Sequence, residues 1–135
     1  MQKKVTAYSI VILSTGLGLF FIYKGLNKHF LLPCKTYGPD STLPVDYKNL
    51  MTALCSSGFT KVVGFIEILS GILLLIPRTR ILGILFLTPV IVTIFLFHLL
   101  IDNRPHELIE TGIPLVLTLT ILAWGYTKWK GILDK

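Results

Sequence analysis

Glu67 and His98 sit inside long apolar runs of a 135-residue chain, where a charge is expensive. A carboxyl group and an imidazole facing one cavity could exchange protons with a carbonyl being reduced to a hydroxyl. A quinone head group is the ligand such a pair suits. Lys24, Lys28 and Tyr23, at the end of another apolar run, complete a candidate pocket, and His98, Lys24 and Lys28 are the candidate partners of Glu67. A structural role stands beside this one. A carboxyl group can hydrogen-bond across a helix interface and contribute about 0.6–2 kcal/mol to packing. Haem or metal ligation by His98 with His29 or His106 lacks any H-x-x-x-H or C-x-x-C spacing, so no metal site is assigned.

Cys34 and Cys55 are the two cysteines of the chain and fall in one long connection. Three states remain open for them: a bridge bracing that loop in an oxidising compartment, two unpaired thiols, or a redox-active pair.

The elements that must position these groups are apolar runs at 5–23, 62–76, 81–101 and 108–127. A helix needs about 20 residues to cross the hydrocarbon core. The second run is short and must extend backward or tilt. The pattern predicts an all-α, single-domain integral membrane four-helix bundle over 1–135. Its helices lie at about 5–30, 59–76, 81–101 and 108–127, with one long outer loop between helices 1 and 2. "IPRTR" (76–80) and "DNRPHE" (102–107) are short enough to make their flanking helices antiparallel neighbours. Within the long loop, 45–58 reads as a short amphipathic helix with Asp46 as N-cap, ending at Gly58. Pro89 and Pro114 should bend helices 3 and 4. On helix 2, Gly64, Glu67, Ser70 and Gly71 share a stripe of mostly small residues, which turns Glu67 toward the bundle interior and lets a neighbour approach.

Composition agrees with a bilayer. Apolar residues make up 53% of the chain, charged residues 15%, and the mean hydropathy is +0.73; ordinary soluble domains carry about 25% charged residues. The net charge of +6 lies between and beside apolar runs, as topology-setting charge does, and no nucleic-acid motif accompanies it. The first apolar run is longer than a signal h-region and no A-x-A-like site follows it, so it reads as a retained anchor. The dense basic segments at Lys3, Lys4, Arg78, Arg80, Lys128, Lys130 and Lys135 favour both termini in the cytoplasm. Trp124, Tyr126 and Trp129 would form an aromatic anchor at that face. At 1.5 Å per residue, Glu67 then lies about 9 Å and His98 about 6 Å below the outer ends of their helices. Both sit in the outer half.

"GLNKHF" (25–30) and "GFIEILSGILLLIPRTRILGILFL" (64–87) resemble segments of the DoxX-like family of small four-helix membrane proteins. The first is similar to the G-x-x-K signature closing helix 1. The second carries the glutamate, the glycine four residues on, the leucine-rich end and the threonine–arginine turn, here Glu67, Gly71, Leu73–Leu75, Thr79 and Arg80. His98 matches a late helix-3 histidine. The resemblance implies a bacterial inner-membrane protein that is a subunit or accessory of a quinone-linked redox or oxidative-stress system, with a protein partner in a membrane complex. A non-enzymatic assembly or scaffold protein is the competing reading, and whether the chain is an enzyme stays open.

Overall fold

The computed structural model describes residues 1–126, without the side chains of Lys28 and His29. Among the described residues every regular element is a helix. Helix α1 (Gln2–Leu26) continues into a π-helical turn at Asn27–Leu31; α2 (Val45–Ser56) and α3 (Phe59–Leu75) follow. Helix α4 (Arg80–Phe97) runs on into a second π-helical turn at His98–Asp102, and α5 (Pro105–Trp124) closes the described chain.

Three of these segments are long and apolar enough to cross a membrane: Gln2–Leu26, Arg80–Asp102 and Pro105–Trp124. Helix α3 reaches that standard only together with α2, from which it is bent by 78°. The bend sits at Gly58, whose φ of +81° is the left-handed region that glycine enters without a Cβ penalty. Among the described residues there are thus five α-helices, and a four-span count needs α2 and α3 to share one span or α3 to cross alone.

Helix ends differ from those expected, each for a local reason. Helix α1 leaves α-geometry at Asn27, whereas 5–30 was expected as one helix from hydropathy alone. The fourth expected helix, 108–127, begins earlier, because Pro105 occupies its first turn, where a missing N–H costs nothing. Asp46 is not the N-cap of α2. Pro44 holds that position and no side chain caps it, while Asp46 lies in the first turn, where an anion still complements the helix dipole. Both prolines expected to bend helices lie inside them, Pro89 in α4 and Pro114 in α5. Their carbonyls accept hydrogen bonds from Thr93 and Thr118 at 2.7 Å. Lys128, Trp129, Lys130 and Lys135 lie outside the described residues.

The helices form a ring in which α1 packs on α3, α3 on α4 and α4 on α5, with a thinner α1–α5 seam. The core is Ile10, Leu17, Phe21, Leu74, Ile84, Leu87, Ile91 and Ile121. The α1–α3 seam is the closest. A Cβ on Gly18 would lie 2.7 Å from the Gly71 carbonyl oxygen, one on Gly71 2.6 Å from that of Gly18, and one on Gly25 2.9 Å from that of Gly64. Two glycine pairs seven residues apart, on antiparallel helices, thus meet in register. Ser70, on the same buried face, presents its carbonyl to Gly83 of α4, where a Cβ would lie 2.8 Å away.

Helix α2 lies outside this ring, across α3 and the π turn of α4. A disulfide between Cys34 and Cys55, with Cα atoms 5.9 Å apart, ties its last turn to the loop after α1. The bridge closes a separation of 21 residues, so by loop entropy it should contribute about 3 kcal/mol. Reduction, or Cys34→Ser with Cys55→Ser, is expected to lower the thermal midpoint and expose α2 to protease. Identical melting curves with and without reductant would remove the bridge from the account.

Candidate functional site

A cluster of ionisable side chains gathers where α1 and α4 end and α3 and α5 begin. The centre is the π turn of α4. Its wider spacing carries His98 and Asp102 inward together, and Asn103, left-handed at φ 46°, closes it by donating its N–H to the His98 carbonyl at 2.6 Å. His98 is 5% exposed and Asp102 8%. His98 Nδ1 lies 3.1 Å from both oxygens of Asp102. A carboxylate can only accept, so Nδ1 carries the proton. Nε2 faces Glu107 Oε2 at 3.7 Å, an ion pair when the ring carries both protons.

Arg104 locks the cluster. Its Nε donates to Asp102 Oδ2 at 2.7 Å, its Nη2 donates to the Tyr47 hydroxyl at 3.3 Å, and the guanidinium lies 5.3 Å from the Tyr47 ring centroid. His106, largely exposed, reaches Glu107 Oε1 at 3.5 Å. Tyr47 is buried, with its ring 5.9 Å from that of His98. Burial, reinforced by Tyr37 and opposed by Arg104, pushes its hydroxyl up to about 12. It is a neutral phenol at any physiological pH.

Two cavities flank this cluster. A small one of about 50 Å³ lies among α1, α3, α4 and α5 and is lined by Lys24, Glu67, Glu107 and Glu110 with Phe20 and Thr111. It has room for water and none for a ring. A larger one of about 490 Å³ lies between α2, α3 and α4, outside the four-helix ring, and His98 and Tyr47 both line it. Its other walls are almost wholly apolar.

The expected single pocket is therefore divided. Glu67 is buried on the expected stripe and shares the small cavity with Lys24, whose ammonium is paired with Glu110. His98 turns its nitrogens to Asp102 and Glu107 and lines the larger cavity. Glu107 is the link, lining the small cavity while facing His98. Tyr23 is 62% exposed and lines neither cavity. The Lys28 side chain is outside the described residues. Tyr47, Asp102, Arg104 and Glu107 join the site without being among the expected pocket residues. Glu107 opens the last helix on the side where Glu67 and His98 were expected, and Asp102 stands four residues after His98 and so on the same helix face.

The chain is similar to "Uncharacterized protein YwoB" of Bacillus subtilis (strain 168), at 40% identity over 70 residues. The match covers 52% of this chain and 44% of that protein. The aligned part is thus under half of the relative's length. No family model matches the chain, and no solved structure matches it.

Proposed function

We propose that the chain is a multi-pass protein of a bacterial inner membrane, DoxX-like in architecture, serving as a subunit or accessory of a quinone-linked redox or oxidative-stress system. In this reading α1, α3, α4 and α5 span the bilayer and α2 lies along the outer leaflet. Helix α3, with 17 residues, reaches about 26 Å at 1.5 Å per residue, enough with slight thinning of the bilayer or anchoring at its ends. The Cys34–Cys55 bridge supports placing the loop and α2 on the oxidising side, which leaves both termini in the cytoplasm.

One observation carries the redox reading. A histidine whose Nδ1 is held by a buried carboxylate, and whose Nε2 faces a second carboxylate, lines a cavity whose walls, Tyr47 apart, are almost wholly apolar. A carboxylate fixes the imidazole tautomer and leaves the other nitrogen to take or release a proton. Glu107 and His106 extend that exchange toward the surface.

The test is the redox state of the quinone pool after an oxidant challenge, in a deletion strain complemented with wild type or with His98→Gln. Loss of at least half of the wild-type effect by His98→Gln, at equal protein level, supports the proposal. Full complementation by His98→Gln would move the chain to the scaffold reading. The tight glycine-paired α1–α3 seam, with Glu67 between Gly64 and Gly71, is the observation that favours that alternative.

A further inference from the structure

The cavity under α2 has one polar end. Along α4 it runs from Pro89 to His98, about 13 Å at 1.5 Å per residue. Its walls between are side chains such as Met51, Val63, Ile66 and Val90. At about 490 Å³ it is the size of pockets that enclose a small organic ligand. It lies outside the α1–α3–α4–α5 ring, so its mouth faces the surroundings of the bundle rather than the interior, and α2 roofs it.

Tyr47 marks the polar end. Its hydroxyl oxygen accepts from Arg104 Nη2, and among the described residues its proton has no acceptor. A buried phenol proton is costly to leave unbonded, and the bond from a guanidinium makes it a stronger donor. His98 cannot substitute as donor in its Nδ1-protonated tautomer, because that proton is committed to Asp102. A ligand bringing one hydrogen-bond acceptor to this end, followed by about 13 Å of apolar matter, would match the cavity.

We propose that this cavity binds a membrane-borne amphiphile with a single carbonyl-type head, a carboxyl or a ring carbonyl, that accepts the Tyr47 hydroxyl proton while its apolar body lies along α4 under α2. Arg104 and Asp102 are positioning residues for that donor. The site rests on the spanning arrangement proposed above and not on the redox reading. A fatty acid and a quinone carry the same head chemistry, and they are separated by experiment.

The experiment is equilibrium binding of palmitate and of decylubiquinone to the full-length chain purified in mild detergent. Wild type is expected to bind at least one probe saturably, one per chain. Val90→Phe and Met51→Trp fill the cavity from opposite walls and should abolish binding, circular dichroism confirming that each variant is folded. Tyr47→Phe keeps the ring and removes the donor, and affinity should fall roughly 5- to 30-fold. Saturable palmitate binding without decylubiquinone binding supports the site and takes from the redox reading its ligand. Decylubiquinone binding supports both. The proposal is overturned if neither probe binds saturably, if folded filling variants bind as wild type does, or if Tyr47→Phe leaves the affinity unchanged.

Discussion

Gly71→Val is expected to abolish the folded chain. A Cβ at this position would lie 2.6 Å from the Gly18 carbonyl oxygen and 2.7 Å from an Ile22 side-chain carbon, and the branches of valine would reach further. The contact at Gly18 is backbone on both sides, so no rotamer change relieves it. The helices must separate, and the Gly25–Gly64 contact one register along opens with them. Overpacking a well-packed core typically costs about 1–3 kcal/mol, and a clash against backbone belongs at or beyond the top of that range. Gly16→Val is the control, since a Cβ there meets nothing within 4 Å. The measurement is the yield of monodisperse protein and its thermal midpoint for the two variants at matched expression. A Gly71→Val protein that melts with the Gly16→Val control would mean that α1 and α3 do not approach as described.

That seam was half legible. Gly64, Ser70 and Gly71 mark a face of small residues around Glu67, and burial of all four follows from the helical period. Their partners did not follow. Gly18 and Gly25 lie on a helix with several small residues, and only the antiparallel register shows which of them meet α3. The spans behaved likewise. Hydropathy placed α4 and α5 within a few residues, because a long, mostly apolar run is a strong signal. It could not place the π turns, which depend on how each helix end docks.

The candidate site was less legible still. Glu67 and His98 drew attention because each is an ionisable group among apolar ones. Pairing them assumed that similar depth means contact. Depth fixes one coordinate, and the direction each side chain takes around its helix decides the rest. Helix α2 removed the remaining predictability. Tyr47 reaches Arg104 across 57 residues of chain, through a helix whose docking over α3 and α4 is a tertiary event. A tyrosine in an amphipathic segment carries no sign of that.

Asp102→Ala should show how much the arrangement depends on one carboxylate. The Asp102 side chain is fully buried and accepts from His98 Nδ1 and from Arg104 Nε. Removing one member of a fully buried charge pair typically costs about 3–5 kcal/mol, an upper bound here because Arg104 is 29% exposed and keeps Glu107 nearby. Asp102→Asn keeps the shape and one acceptor, so it should cost about 1.5–3 kcal/mol, the worth of hydrogen bonds to a charged group. The order wild type, asparagine, alanine is thus expected in thermal unfolding. The same order is expected in protease sensitivity near Tyr47, because Arg104 holds Tyr47 only while Asp102 holds Arg104. Equal loss in both variants would show that negative charge, and not the number of acceptors, holds the cluster. No loss in either would show that Arg104 finds Glu107, already 3.6 Å from its Nη2, and that the anchor of α2 lies in α5 rather than in the π turn. Either result bears on the cavity, since the helix that roofs it is held at its first turn by this chain of contacts and at its last by the disulfide.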